Sequence, residues 1–108
     1  MAANKPKEAV KDDYDKARFD LIPPQALRSV ADAFTYGAKK YGDHNWESGI
    51  AWSRLYAAAE RHLNSFWSGQ GIDDESNLPH LAHAAANILM LLHEWFASEQ
   101  YDDRTLGE

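Results

Sequence analysis

Residues 78–92, Leu-Pro-His-Leu-Ala-His-Ala-Ala-Ala-Asn-Ile-Leu-Met-Leu-Leu, carry an apolar helical pattern with a narrow polar seam. At 100° per residue, the seam residues fall within about 60° of one another on the helix surface. They are His80, His83, Asn87 and Glu94. A helix that is apolar over most of its circumference is expected to be buried, so its polar seam should face something polar inside the protein. Two histidines three residues apart are neighbours, close enough to share a metal ion or to bracket a phosphate.

The same periodicity predicts two earlier helices. After Pro23-Pro24, apolar residues recur at three- and four-residue steps as far as Gly42, which predicts helix one. The pattern returns over about 52–68 and predicts helix two, which Gly69 stops. Pro79 suits the first turn of helix three, which is expected to run to about residue 98. No stretch alternates apolar and polar residues for long enough to predict a strand.

These helices predict an all-α fold. A chain of 108 residues suits one domain, which we place at 16–98, with a flexible arm at 1–15 and a polar tail at 99–108 that is expected to fray. With four Trp, five Tyr and four Phe, three helices would leave apolar surface exposed in a monomer. We therefore expect a bundle of three main helices per chain, completed by homo-oligomerisation into a dimer or tetramer.

Composition excludes several classes of function. The absence of cysteine removes disulfides, thiolate zinc sites and cysteine nucleophiles, so any metal must be held by His, Asp, Glu or backbone oxygen. The net charge of −6 argues against binding of duplex nucleic acid, which depends on neutralising phosphates with Lys and Arg. No apolar run reaches the roughly 18 residues that cross a bilayer, and the first residues lack the apolar segment of a secretory signal. The sequence therefore predicts a cytoplasmic protein with no membrane partner.

Helices two and three, with their connector, supply the first candidate site. The end of helix two lies beside the start of helix three in an antiparallel hairpin, so five polar side chains are expected to converge there. They are His62, Asp73, Glu75, His80 and His83. Carboxylate and imidazole groups suit Mg²⁺, Mn²⁺, Co²⁺ or Zn²⁺ to different degrees, and Mg²⁺ takes nitrogen most reluctantly. The alternative is that the two helix-three histidines are bonded inside the core and that residues 73–77 only cap the helix.

A second group of residues suits a nucleotide. Arg54 and Arg61 lie on one stripe of helix two, where guanidinium groups could clamp a phosphate or be merely solvated. Lys40 lies near the end of helix one, where a cation favours the helix dipole in any case. Trp46 could stack on a base while Asn45 reads its edge, although a loop tryptophan more often covers the core.

Five segments of the chain form an ordered set across about residues 16–95. They are KARFDLIPP (16–24), YGAKKYGDHNW (36–46), RHL (61–63), DDES (73–76) and LPHLAHA (78–84). Together they resemble the phage-type dATP/dGTP diphosphohydrolase family, the MazZ-like enzymes. The resemblance implies an α-helical, MazG-like nucleotide pyrophosphohydrolase that cleaves dGTP or dATP to the monophosphate and pyrophosphate. It implies a divalent metal, with Mg²⁺ first and Mn²⁺ or Co²⁺ as alternatives. In phages with 2-aminoadenine DNA, such an enzyme in the host cytoplasm feeds dGMP toward the modified nucleotide and lowers dATP.

The chain departs from the wider MazG-like superfamily at the metal-binding motifs. That superfamily holds its metal with Glu-x-x-Glu on one helix and Glu-x-x-Asp on the next. Here helix two has no Glu-x-x-Glu, and His80 and His83 stand where the second pair is expected. The acidic ligands of the superfamily are therefore not carried over to this chain.

The resemblance and the residue chemistry together give each candidate an expected role. The expected metal ligands are Asp73, Glu75, His80 and His83, and the two carboxylates, with His62, are expected to act on the attacking water. The expected substrate contacts are Lys16, Arg18, Lys40, Asn45, Trp46, Arg54 and Arg61. Asn87, one turn from His83, is expected to orient it. The rival hypothesis is a non-catalytic helical oligomer that binds nucleotide or metal and uses the seam to fix its register.

Overall fold

The computed structural model describes residues 7–105 and contains three long helices joined by short connectors. Helix α1 spans Pro24–Tyr41, α2 spans Trp52–Trp67 and α3 spans His80–Ala97. Short 3₁₀ turns occupy Phe19–Leu21, Asn45–Ser48 and Glu99–Tyr101. The three predicted helices are confirmed, with ends that differ from the predicted ones by only a residue or so. Residues 1–6 of the predicted arm and 106–108 of the predicted tail lie outside the described residues.

Helix α1 begins and ends at the residues that the sequence marks. Pro24 occupies the first turn, where a missing backbone N–H leaves no helical hydrogen bond unmade. At the other end, Gly42 has a φ of 92° and donates its backbone N–H to Ala38 O at 2.7 Å. A residue with a Cβ would be strained at that φ, so the glycine lets the chain turn away from the helix.

A small antiparallel sheet joins α2 to α3, and the sequence analysis did not predict it. Strand β1 (Ile72–Asp73) pairs with β2 (Leu78–Pro79). Strands of two residues are too short to show a period of two, so the all-α prediction is correct for the helices and missed the sheet. Asn77 tightens the turn between the strands: it adopts a φ of 62° and donates its backbone N–H to Asp73 O at 2.7 Å.

Helices α2 and α3 form an antiparallel hairpin. At one end, the rings of Trp52 and Trp95 lie 6.2 Å apart between centroids, and at the other end those of His62 and His80 lie 5.1 Å apart. The histidine end of the hairpin is therefore separated from its aromatic end by the ten residues from Trp52 to His62, which is about 15 Å along α2.

Helix α1 packs across α3 through small side chains. A buried cluster contains Ala33 of α1 and Ala82 and Ala86 of α3, with Val30 and Phe34 packed at its edge. Alanine at the contact allows two helix backbones to approach closely, which brings the polar groups of α1 within reach of the start of α3.

Helix α3 turns its polar seam inward, as predicted. His80, His83 and Glu94 are its buried polar residues, with exposed fractions of 5%, 8% and 0%. One apolar side of the helix is left in water in the single chain, where Ile88 and Trp95 are half exposed, as expected for three helices without a partner. None of the helices within residues 7–105 is long and apolar enough to cross a membrane.

Residues 99–105 pack against the start of α2, although the tail was expected to fray. The carboxylate of Asp103 accepts a hydrogen bond from the backbone N–H of Ser53 at 2.9 Å, in the first turn of α2. The guanidinium of Arg104 lies 5.0 Å from the ring centroid of Trp52, within the range of a cation–π contact. This segment therefore caps a helix that has no side-chain cap of its own.

Replacing Gly49 by alanine should destabilise the protein by about 2 kcal/mol, because an added Cβ would collide with the ring of Tyr101 at a backbone φ of 104°. The matched control is Gly37→Ala, because this glycine lies inside α1 with nothing within 4 Å of an added Cβ. There the change should raise the free energy of unfolding by about 0.5–1 kcal/mol. Urea unfolding followed by circular dichroism measures both, and equal stability of the two variants would contradict the packing of the tail described above.

Candidate active site

Four polar residues meet at the end of the α2–α3 hairpin. His62 lies on the last turns of α2, Asp73 ends β1, and His80 and His83 lie on the first turn of α3. The imidazole of His62 lies 4.8 Å from that of His83 between centroids. The Nε2 atom of His83 lies 3.7 Å from Asp73 Oδ2. These four residues, with Ser76, are called the histidine cluster below.

Ser76 connects the carboxylate of the cluster to its inner histidine. Its hydroxyl donates to Asp73 Oδ2 at 2.7 Å and lies 2.6 Å from His83 Nε2. Its backbone N–H donates to the same carboxylate oxygen at 3.1 Å. An aspartate that accepts bonds from the residues just after it is typical of a turn, so the local sequence itself holds the carboxylate in place.

The other two histidines bond to each other. Nδ1 of His62 and Nδ1 of His80 are 2.9 Å apart, so one of the two nitrogens carries a proton and donates it. His62 is also stacked on His83, with 19° between the ring planes. His80 Nε2 is buried and has no hydrogen-bond partner among residues 7–105. The cluster therefore contains one buried ring nitrogen that makes no hydrogen bond to residues 7–105.

Burial keeps the imidazoles of His62 and His83 neutral. It lowers the pKa of His62, and the neighbouring His83 and His80 lower it further. Burial also lowers the pKa of His83, against the opposing effect of Asp73. For Asp73, burial would raise the pKa, but the hydrogen bonds from Ser76 outweigh it and hold this pKa below its usual range. At neutral pH, the site therefore combines an ionised carboxylate with neutral rings that can accept a proton.

Glu75 is engaged by α1. Its Oε2 atom accepts hydrogen bonds from the hydroxyl of Tyr36 and from Lys40 Nζ, both at 2.7 Å. The bonds from Lys40 and Tyr36 lower the pKa of Glu75, and the bond to Glu75 raises the pKa of both partners. The ring of Tyr36 also meets His83 edge-on, with 5.8 Å between centroids, so this group borders the histidine cluster.

The sequence matches known proteins over most of its length. Residues 6–104 match the family described as dATP/dGTP diphosphohydrolase, N-terminal. The chain belongs to this family. A relative named dATP/dGTP diphosphohydrolase, from Salmonella phage PMBT28, is 35% identical over 97 residues. The match covers 88% of this chain but 32% of the relative, so the chain spans about a third of the relative's length. No solved structure matches the chain.

The basic residues predicted to contact substrate lie at different distances from the cluster in this family member. Arg61 adjoins His62 and helps to lower the pKa of that histidine. Arg54 lies two turns earlier on α2, about 12 Å from His62 along the helix axis. Lys16 and Arg18 precede α1, and the exposed guanidinium of Arg18 is held by a neighbouring carboxylate. Arg61 is therefore better placed than these three to reach a phosphate at the cluster.

The predicted base-binding residues lie in the turn after α1. Trp46 is half-buried and packs edge-on against His93 of α3, with 4.8 Å between centroids. It also meets Phe34 of α1 at 6.3 Å. Asn45 precedes it on the exposed side of the turn. The structure thus joins Trp46 to the helical core, and its contact with a base stays a prediction.

The remaining seam residues of α3 differ in their surroundings. The side-chain amide of Asn87 donates to the backbone O of His83 at 2.9 Å, so it bonds to the helix and not to the imidazole. Glu94 is fully buried, and neither carboxylate oxygen has a hydrogen-bond partner among residues 7–105. Hydrogen bonds therefore engage most of the polar atoms at the start of the seam, where His80 Nε2 is the exception among residues 7–105, and neither carboxylate oxygen of Glu94 toward its end.

The side chains described do not form a complete metal site. Among residues 7–105, no three His, Asp or Glu side chains are arranged to hold a metal ion by themselves. Both bonds from Ser76 go to Oδ2 of Asp73, which leaves Oδ1 free to bind a metal ion. A single carboxylate suits Mg²⁺, because this ion is usually bound by one or two carboxylates together with water and substrate phosphates.

Two residues of the site region, Ser76 and Tyr36, were not singled out from the sequence. Ser76 follows Asp73 by three residues just before a helix, and that spacing is a usable signal for a side-chain turn. Tyr36 lies one turn before Lys40 on α1, but its partner is 39 residues away, so no local pattern indicates it.

The lowered pKa values of His62 and His83 predict that the protein loses stability in mild acid. The unfolded chain binds protons on these rings near pH 6.5, whereas the folded chain resists them, so the free energy of unfolding should fall as the pH drops from about 7.5 to 5.5. Urea midpoints across this range measure the slope.

The variant His62→Gln should show a shallower slope than the wild type, and His44→Gln serves as the control because His44 lies outside the cluster. A slope that His62→Gln leaves unchanged would show that the buried ring is not responsible.

Proposed function

We propose that this chain hydrolyses purine deoxynucleoside triphosphates, dGTP and dATP, to the monophosphate and pyrophosphate, with a divalent metal ion. The observation that carries the proposal is the histidine cluster, which places an ionised carboxylate beside neutral imidazoles at one end of a helical hairpin. The printed name of the phage relative supports the substrate class. Because the chain spans about a third of that relative, activity of this chain alone is part of the proposal.

Charge neutralisation is the first requirement of this reaction. A nucleoside triphosphate brings about four negative charges to a chain whose own net charge is −6, so cations must offset the repulsion. Arg61 next to the cluster and Lys40 beside Glu75 are the protein cations placed to do so. A divalent metal ion would supply the remaining positive charge and polarise the phosphate under attack.

Of the predicted ligands, Asp73 and His83 would hold this ion together with water and the substrate phosphates. His80 would not, because its Nδ1 accepts the proton of His62 and its own proton then lies on Nε2. Asp73 offers a free carboxylate oxygen, and the neutral imidazole of His83 is a ring of the kind that binds divalent ions. Mg²⁺ is the first candidate, because the phosphates of the substrate would complete its oxygen coordination, and Mn²⁺ or Co²⁺ would accept the nitrogen ligand more readily. Glu75 would lie at the edge of the site, because Tyr36 and Lys40 of α1 hold its carboxylate.

Proton transfer is assigned to His62. Its lowered pKa leaves the ring neutral near pH 7, so Nε2 can take the proton of the attacking water and later release it to the leaving group, while Nδ1 donates its proton to Nδ1 of His80. The bond between Nδ1 of His62 and Nδ1 of His80 fixes the ring orientation during this exchange. In a phage with 2-aminoadenine DNA, the resulting dGMP would feed synthesis of the modified nucleotide in the host cytoplasm.

We also propose that the chain forms a homo-oligomer through the outer face of α3. Leu81, Ile88, Leu92 and Trp95 fall on one stripe of this helix and are 44–58% exposed. Together with the adjacent Leu89 and Phe96, they leave on the order of 600 Å² of apolar surface in water, the upper end for a monomer. A second copy matches this face because it presents the same apolar stripe. Sedimentation of the chain distinguishes a monomer from a dimer or tetramer.

The turnover prediction is specific. With Mg²⁺, Mn²⁺ or Co²⁺, the chain should release monophosphate and pyrophosphate from dGTP and dATP, and His83→Ala should lower the rate by at least about 100-fold. Anion-exchange separation of the products identifies which bond is cleaved. His44→Ala, a histidine variant outside the cluster, should keep the wild-type rate.

Absence of turnover in the wild type with all three metals would overturn the enzymatic proposal. Nucleotide or metal binding without turnover would favour the non-catalytic helical module instead.

The two arginines of α2 should differ in their effect on substrate binding. Arg61→Ala should raise KM by about 10-fold, because it removes a bidentate phosphate donor next to the cluster, while Arg54→Ala should change KM by less than about 2-fold. Initial rates against dGTP concentration measure both. An equal effect of the two substitutions would show that the phosphates extend along α2 and would contradict the placement at the cluster.

A further inference from the structure

We propose that Ser76 is a positioning residue that fixes the proton of His83 on Nε2, so that Nδ1 is the nitrogen left with a free electron pair. The use of that electron pair for a metal ion or substrate rests on the proposed function. The proton arrangement itself follows from the hydrogen bonds around one hydroxyl group.

The hydroxyl of Ser76 has one proton and two electron pairs, and the structure gives it three neighbours. Asp73 Oδ2 lies at 2.7 Å, His83 Nε2 at 2.6 Å, and the backbone N–H of Leu78 donates to Ser76 Oγ at 3.3 Å. Three partners fill the capacity of a hydroxyl group if one accepts its proton and two donate to it. The backbone N–H of Leu78 can only donate. The arrangement of protons therefore depends on which of Asp73 and His83 accepts the hydroxyl proton.

Asp73 must accept the proton. The same Oδ2 atom already accepts the backbone N–H of Ser76, as expected for an ionised carboxylate with several electron pairs. The only proton that can lie between Ser76 Oγ and Asp73 Oδ2 is then that of the hydroxyl.

The remaining contact requires a proton on His83. If Nε2 of His83 were bare, the serine proton would have to point at it, and two oxygen electron pairs would face each other at 2.7 Å across the Ser76–Asp73 contact. With the proton on Nε2, every contact of the hydroxyl is a hydrogen bond. In a neutral imidazole the other nitrogen, Nδ1, is then unprotonated.

Other contacts hold the ring in this position. The imidazole of His62 stacks on one face of His83, and the ring of Tyr36 meets it edge-on. Ser76 therefore determines which nitrogen of His83 carries the proton, while His62 and Tyr36 fix the plane of the ring. This resembles the way in which protein groups behind a histidine ligand commonly select its tautomer.

Side-chain nitrogen NMR of the chain labelled with ¹⁵N-histidine tests the proposal without metal or nucleotide. At a pH of about 7.5, where the ring is neutral, His83 should show a protonated Nε2 and a bare Nδ1. The missing signals of His83→Gln assign the resonances. In Ser76→Ala, the Nε2 proton should exchange with water about 10-fold faster or more, because its acceptor is gone. Ser76→Thr keeps the hydroxyl and should restore slow exchange, and Ser29→Ala, a serine on α1, is the matched control.

A proton on Nδ1 of His83 in the wild type would overturn the proposal, as would unchanged exchange in a folded Ser76→Ala variant. If Ser76→Ala does not fold, the nitrogen signals of the wild type and of Ser76→Thr still decide, because both must show the proton on Nε2. Since no step of the measurement involves turnover, an inactive chain with a protonated Nε2 would contradict the proposed function alone.

Discussion

Burial of the polar side of α3 is the constraint on which the rest of the structure depends. A histidine or carboxylate taken out of water costs several kcal/mol unless it is bonded inside the protein. His80 and His83 therefore need polar neighbours, and each comes from a different element: His62 from α2 and Ser76 from the turn between the strands. The two-stranded sheet is too small to contribute much packing, but it holds that turn over the start of α3.

The helices could be predicted from the sequence because their signals are local. Pro24, Gly42 and Pro79 mark the ends, and the apolar spacing between them gives the period of a helix. The sheet could not be predicted, since two-residue strands carry no period and depend on the turn at Asn77. The tail looked polar and free, but its capping of α2 by Asp103 joins residues 50 positions apart, which no local pattern reveals.

The candidate site also combines features that could be predicted from the sequence with features that could not. The spacing of His80 and His83 on one helix face, together with an antiparallel hairpin, was enough to place both beside His62 and Asp73. Lys40 and Glu75 were expected to serve phosphate and metal separately, and the structure pairs them with each other at 2.7 Å. Long flexible side chains make such pairings hard to predict, because their partner is decided by which charge the fold brings within reach.

The two ends of the seam on α3 differ in how many of their polar atoms are hydrogen-bonded, and this difference limits where a reaction can take place. At the start, the hydroxyl of Ser76 has three partners and the histidine rings support one another, so the atoms left unengaged are few and defined. Toward the end, Glu94 is buried with both oxygens unpaired among residues 7–105, and the indole N–H of Trp52 is unpaired as well. A rigid set of engaged groups is the one that can hold a reacting phosphate in a fixed geometry, because little reorganisation is then needed on binding. The start of α3 meets that condition within the described chain, whereas its end does not.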